Sequence, residues 1–324
     1  MTDLLRDALE RLFASQASPA QVRAIEDGGD AGPLWAAIEE GGFGHALVPE
    51  SADGAGLALA DVFPTLMAAG AQALPVPLGL TMLARALLAE AGEDVPEGAI
   101  TIATDPDAAW RCAGLPYART ASWALLACPD GFALAPMGDV APDAGQDRLS
   151  GDVAFAKPAR RVANPTDLRA MAASVLAAQM AGALVRVFED TIRFANERVQ
   201  FGKPIGKFQA IQQQLSVMAE QVFAARMAAE LAFSGPGLRP DPLRAAIAKA
   251  RAGEAAVRAC ATAHAVHGAM GITEEFDLQL LTRRLHGWRL GYGADGYWHA
   301  RVGQAALAET SGGTLDFIRT RLMY

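Results

Sequence analysis

Apolar residues recur at helical spacing along most of the chain and alternate as in strands only in its middle. Leu4, Leu5, Ala8, Leu9, Leu12 and Phe13 make one stripe at three- and four-residue intervals, which predicts an opening helix. Further helical patterns over 34–40, 57–69 and 80–91 each stop at a glycine: Gly41, Gly70 and Gly92. The loops between them fall at Gly54–Gly56 and Pro75–Pro77. From Gly98 the texture changes. Residues 99–104 and 121–127 read as strands, and 132–135 returns after a turn at 128–131, which is a hairpin signal. After Asn164-Pro165 the chain is again helical, with helices expected over 167–196, 207–233, 241–267, 275–286 and 297–310. Breaks fall at 202–206, 234–240 and 268–271. Long helices joined by short connections predict an antiparallel bundle. The fold class expected is therefore mainly α with a small β middle domain. Its parts are an N-terminal helical domain at 1–97, a shortened β domain at 98–165 and a four-helix-bundle-like domain at 166–324.

Composition narrows the function classes. The 324 residues are 52% hydrophobic and 20% charged, enough apolar material for a full core. A formal charge of −8 argues against a nucleic-acid footprint, which needs a basic face. No uncharged apolar run reaches the roughly 18–20 residues of a membrane span. The alternation of charge and Leu at the start lacks a signal core, so a cytoplasmic setting is expected. Cys112, Cys128 and Cys260 are odd in number and widely spaced, fitting neither a zinc pattern nor a disulfide framework. No metal site is expected; His264 and His267 stand three apart on a helix but lack the Glu-x-x-His partners of a di-metal bundle.

The densest signal lies at 197–209, where one long helical pattern closes and another opens. Arg198, the Phe201-Gly202 corner, Pro204 and the Phe208-Gln209 pair gather at that junction. Backbone N–H groups and a guanidinium at a helix start favour an anionic ligand. The competing reading is a helix-end salt bridge from Arg198 to Glu197 or Asp190.

The string resembles the Arg-x-x-Phe-Gly…Phe-Gln signature of the acyl-CoA dehydrogenase family, and three further patches support the resemblance. Trp35, Glu39 to Gly44 and Leu47 to Glu50, followed by the loop at 53–57, are similar to the family's Trp…Glu-x-Gly…Pro-Glu opening. Residues 265–275 are similar to its Gln-x-His-Gly-Gly-x-Gly-x-Thr-x-Glu loop. Arg283-Arg284 stands at the place of its Arg-Asp pair. The resemblance implies the family's layout of helical head, β middle and helical tail. It also implies FAD as cofactor, an acyl-CoA substrate and an electron-transfer flavoprotein as electron acceptor. It further implies that the 198–209 segment reaches across an interface to the diphosphate and adenine side of a neighbour's FAD.

The departures shape the functional expectation. The middle region lacks the Thr-Glu-Pro…Gly-Ser-Asp strand that cradles a subunit's own flavin in the family. Ala265 and Ala269 replace a Gln and a Gly. The family's α-proton is removed by a Glu nine residues after the Arg of the Arg-Asp pair, because the base must be anionic and within reach of the substrate carbon. That count lands on Tyr292, or on Gly293 with a one-residue slip, and neither is a carboxylate. The alternative position on the preceding helix, near Ala172 and Ala173, also lacks an acid. The catalytic residue is thus unassigned, with Asp295 as the nearest candidate and a surface loop acid as its plain alternative. The Gly291-x-Gly293-x-x-Gly296 string lacks the preceding strand that a dinucleotide fold needs.

Cofactor-binding candidates are Arg198, Phe201, Gln209, His267 and Gly268, with an interior histidine as the alternative for His267. His286, Trp288 and Arg289, following Arg283 and Arg284, are expected either to face CoA phosphates or to lie in a subunit interface. Met171, Met180, Met218 and Met227 are expected as core filler. The function expected is an acyl-CoA dehydrogenase-like subunit, similar to the smaller subunit of heteromeric members. It would desaturate an acyl-CoA by completing the FAD site of a full-length partner in trans. The alternatives are a helical assembly subunit without flavin, or a homodimeric or tetrameric dehydrogenase using a displaced base.

Overall fold

The computed structural model describes residues 2–142, 147–158, 161–274, 276–309 and 313–322; the side chains of 2–5, 142 and 322 are outside that description. Leu4, Leu5, Glu275 and Thr310, named above, therefore fall wholly or by side chain outside the described residues. The head contains α1 (Thr2–Gln16), α2 (Pro19–Glu26), α3 (Gly32–Glu40), α4 (Leu59–Ala71) and α5 (Leu78–Glu90). Helix α2 is not foretold by apolar period, because only Val22 and Ile25 supply buried apolar side chains. Local chemistry makes it: Ser18 and Gln21 form a reciprocal capping box and Pro19 opens the helix.

The middle contains β1 (Ile100–Ala103), β2 (Arg111–Leu115), β3 (Trp123–Cys128), β4 (Gly131–Pro136), β5 (Val140–Pro142), β6 (Gly151–Ala154) and β7 (Val162–Ala163). One sheet runs β1-β3-β4-β7 and the other β2-β6-β5. The expected hairpin is present, with Cys128 paired to Gly131. Strand β3 is apolar throughout because both faces are covered. Leu125 joins the large core, while Ala124 and Leu126 pack in a smaller one with Cys112, Leu115, Val153 and Phe155. Strands β2, β5, β6 and β7 are short, and no alternation announces them. Thr81 of α5 ties the head to this region: its Oγ1 accepts from Ile100 N at 2.8 Å and donates to Pro77 O at 2.9 Å.

The tail contains α6 (Leu168–Glu197), α7 (Gln209–Phe233), α8 (Pro242–His267), α9 (Leu278–Leu290), α10 (Asp295–Ala308) and α11 (Thr314–Leu322), with β8 (Val199–Gln200) and β9 (Lys203–Pro204) between α6 and α7. Asp167 and Asp241 cap α6 and α8, each accepting a backbone N–H at 2.9 Å. By length and mean hydropathy of 1.6, α6 qualifies as a membrane span, yet 83% of that stretch is buried inside the protein. It is the central helix of the bundle. Helix α4 crosses it closely: a Cβ on Gly70 would sit 1.8 Å from Gln179 O, and one on Gly182 would sit 1.9 Å from Met67 O. Met171, Met180 and Met218 fill the core as expected, but Met227 is 71% exposed and does not. The fold is mainly α with a small β middle, as expected.

Candidate functional site

The β8–β9 pair is a two-residue hairpin. Phe201 (φ 51°) and Gly202 (φ 78°) both take the left-handed conformation, as the type I′ turn between twisted strands requires. Glycine tolerates this; phenylalanine pays about 1 kcal/mol or more for it. Burial returns little for that strain, since Phe201 is 92% exposed. Its ring meets Phe208 edge-on at 6.1 Å, and Lys203 Nζ lies 4.4 Å from the Phe208 ring.

Charge gathers around this aromatic corner. Arg198 closes α6, and its carbonyl accepts from Ile205 N at 2.8 Å. Among the described residues no ion pair forms at Arg198, Lys203 or Lys207. The salt bridge to Asp190 considered above is absent, because Asp190 is occupied by Arg186 and Arg193. Gln209 is the first residue of α7, whose N-terminus has no side-chain cap. Three exposed cations without an ion-pair partner and a helix start without a side-chain cap thus fall within residues 198–209 of a chain whose net charge is −8. Such an arrangement receives an anion.

His267 lies behind this junction, 4% exposed. It stacks on Phe194 at 4.3 Å and leans on Phe276 at 5.1 Å, and Phe194 packs with Ile205 and Phe208 of the junction. Its Nδ1 donates to Ala263 O at 2.8 Å, while Nε2 is buried without a partner. Burial holds the ring below its ordinary pKa, with the Ala263 carbonyl pulling the other way. Histidine here is interior and neutral. Gly268, immediately after it, is exposed and has φ 60° and ψ −144°, a conformation open only to glycine.

Tyr292 and Gly293 lie elsewhere. They wall a cavity of about 780 Å³ between the β region and the α9–α10 loop, with Thr104, Asp105, Cys112, Asp147, Ser150, His286 and Arg289 also lining it. Its size suits a ligand; its charge does not suit a diphosphate. Asp105 and Asp147 face it, and Arg289, the one arginine among the described lining residues, is tied to Asp295 at 2.6 and 2.7 Å. Tyr292 is buried with φ 59°, beside Thr101, the Ile102 backbone and Cys112. Burial pushes its phenol far up, so it is a neutral group. Asp295 does not line the cavity. It is spent on Arg289 and packs on Gly253 of α8, so its geometry is that of a structural acid. The residues present at this cavity do not fit the phosphates of a flavin dinucleotide; those of the exposed junction do.

Two of the patches singled out in the sequence are packing keystones. Glu39 binds buried Arg85 (Oε2 to Nη1, 2.8 Å) and accepts from Trp35 Nε1 at 2.9 Å; burial would raise its pKa, and Arg85 holds it below the ordinary value. Arg283 and Arg284 both pair with Glu26 of α2. Arg284 is 2% exposed and Trp288 1%, with the guanidinium 5.7 Å from the Trp288 ring. Both are therefore core groups and face neither CoA nor a partner. Burial alone kept them inside, since the run of charges at 283–289 looks solvent-facing by composition. Lys249 and the acids of the cavity carried no motif, and Lys203 and Lys207, though inside the 197–209 string, were given no role of their own.

This helical head, β middle and bundle tail, with a strained Phe-Gly corner at the α6–α7 junction, define the class. Residues 169–307 match the profile of the acyl-CoA dehydrogenase C-terminal domain. Acyl-CoA dehydrogenase IpdE2 of Mycobacterium tuberculosis is 33% identical over 306 residues, covering 88% of this chain and 90% of that protein. The chain belongs to the acyl-CoA dehydrogenase family. IpdE2 of Mycolicibacterium smegmatis is 30% identical over 295 residues, covering 88% and 92%. Among solved structures, a variant of the Tcur3481-Tcur3483 steroid ACAD superposes with a TM-score of 0.83 at 23% identity, covering 96% of this chain and 99% of that one. The ChsE4-ChsE5 complex from Mycobacterium tuberculosis gives 0.81 at 22%, covering 96% and 98%.

Proposed function

We propose that this chain is the non-basic subunit of a heteromeric acyl-CoA dehydrogenase and completes the FAD site of a full-length partner in trans. The observation that carries the reading is the exposed junction. Arg198, Lys203 and Lys207 have no ion-pair partner among the described residues, and Phe201 is held outward at a cost in backbone strain. On this reading Arg198 and the two lysines neutralise the dinucleotide's diphosphate, and the uncapped start of α7 at Gln209 adds N–H donors. Phe201 offers its face to the adenine. His267 positions the turn whose exposed backbone at Gly268 borders the cofactor. FAD bound there supplies the two-electron oxidant for α,β-desaturation of an acyl-CoA. The partner's carboxylate takes the α-proton, since Tyr292 occupies that place here, and an electron-transfer flavoprotein takes the electrons. The proposed division of labour follows the three regions 1–97, 98–165 and 166–324, with the tail as donor. That the similar ChsE4-ChsE5 structure is of a complex supports the heteromeric arrangement.

The test is the visible absorbance of the chain purified alone and co-purified with a full-length homologue. A flavin band confined to the complex, and weakened by Arg198→Ala, is the expected result. Flavin content unchanged by Arg198→Ala removes the assignment of that residue. No flavin under either pairing leaves a helical assembly subunit instead.

A further inference from the structure

Helix α8 buries a lysine. Lys249 is 1% exposed, and its Nζ donates to Arg289 O at 2.8 Å and to Gly293 O at 3.1 Å. These two carbonyls flank the segment that places Tyr292. The Gly293 carbonyl also accepts from Trp298 Nε1 at 3.0 Å. Burial, helped by the Arg289 charge of α9, outweighs the favourable Asp295 carboxylate of α10 and brings the amine down to about 7; these are the charged groups facing the ammonium. The loop is thus anchored from behind at both ends by groups that the desaturation chemistry does not use.

Between the anchors, Tyr292 keeps a left-handed backbone although it is neither glycine nor asparagine. Strained residues of this kind persist only where their surroundings over-determine them. Gly291 contributes by close approach, since a Cβ there would meet Leu176 at 2.9 Å and Pro116 at 3.3 Å. The consequence is a bulky, uncharged ring fixed across the inner wall of the cavity, near Cys112 and against β1.

We infer that Lys249 is a positioning residue that clasps the α9–α10 loop and thereby holds Tyr292 as the fixed inner wall of this chain's own cavity. Its functional meaning rests on the trans-site reading: a subunit that completes its neighbour's site keeps its own closed to a flavin-sized ring. The clasp itself is testable on the isolated chain. Lys249→Met keeps the length of the side chain and removes its donors, and Tyr292→Gly removes the wall and suits the left-handed backbone. Two local readouts serve: peptide-resolved hydrogen exchange over 289–296, and thiol labelling of Cys112, which lines the cavity at 6% exposure. Cys260, 2% exposed in α8 and absent from the cavity lining, is the internal reference.

In Lys249→Met, loop exchange and Cys112 labelling should both rise about tenfold, the scale of a local opening made easier, with Cys260 unchanged. Tyr292→Gly should raise Cys112 labelling alike. Wild-type Cys112 and loop rates in a folded Lys249→Met chain overturn the inference, as does a rise shared equally by Cys260, which marks a merely structural role. Should Lys249→Met fail to fold, unchanged Cys112 labelling in Tyr292→Gly overturns it. None of these readouts involves a partner or bound flavin, so they fail or succeed independently of the Arg198→Ala result.

Discussion

Replacing Glu26 by Gln keeps the shape of a 2%-exposed side chain and removes the negative charge that two arginines share. Arg283 is one-fifth exposed and can turn toward water; Arg284, 1% exposed by side chain, cannot. Burial works against the Arg284 charge, and Glu26, seconded by Asp147, more than offsets it, so that its pKa is raised. Removing one partner of a buried ion pair costs about 3–5 kcal/mol, because an uncompensated charge remains inside. Unfolding entropy near 2.1 cal/mol/K per residue then translates this into a fall in Tm of roughly 4–7 °C for a chain of this length. Differential scanning calorimetry reads the shift directly. The double change Glu26→Leu with Arg284→Met should recover part of the loss, since an apolar pair of similar volume carries no desolvation penalty. A Tm within about 1 °C of wild type for Glu26→Gln refutes the keystone role.

Gly182→Ala places a methyl 1.9 Å from Met67 O and should force α4 off α6, costing about 3 kcal/mol or more; chemical denaturation with an unchanged midpoint contradicts that crossing. Phe201→Asn suits the type I′ turn and should stabilise the chain by about 1 kcal/mol while lowering flavin retention in the complex, a pair of opposite effects read by melting and absorbance. Burial holds His45, His264, His267 and His286 below the ordinary 6.5. As pH falls from 6.5 toward those lowered values, the unfolded chain binds more protons than the folded one, so stability declines on acidification by at most about 1.4 kcal/mol per pH unit per histidine. Melting curves between pH 7.5 and 5 should show this, with a shallower slope in His267→Phe.

Helices with a long apolar period, α6, α7 and α8 above all, were legible because burial of one stripe per turn decides their state. The β3–β4 hairpin was legible for a different reason, its turn chemistry at 128–131. What escaped was of two kinds. Helix α2 depends on the Ser18–Gln21 box rather than on a stripe, and α11 follows an apolar pattern too short to register. Strands β2, β5, β6 and β7 are two to five residues long, below the span over which alternation shows. At the site, the structure leaves Phe201 exposed and Arg198 without an ion-pair partner among the described residues. The fate of Arg284 and Trp288 did not follow from composition, because a charge run reports sidedness only when its counter-charge is known. Glu26 stands more than 250 residues away in sequence.

The two candidate regions differ in opposite senses, and the physics of each explains why they need not be judged together. At the exposed junction Arg198, Lys203 and Lys207 have no ion-pair partner among the described residues, and the left-handed Phe201, which meets only the edge of Phe208, costs about 1 kcal/mol or more of folding energy. The cavity shows the reverse. At the loop behind it Arg289 is paired with Asp295, Lys249 donates to two carbonyls, and the Gly293 carbonyl accepts from both Lys249 and Trp298, although the buried Tyr292 hydroxyl has no partner. Glycines on both sides of Tyr292 would ordinarily signal a loop free to adapt, yet Lys249 and Trp298 fix it. Cations without an ion-pair partner among the described residues at the junction, and an arginine and a lysine already held behind the cavity, support the proposed role of the junction.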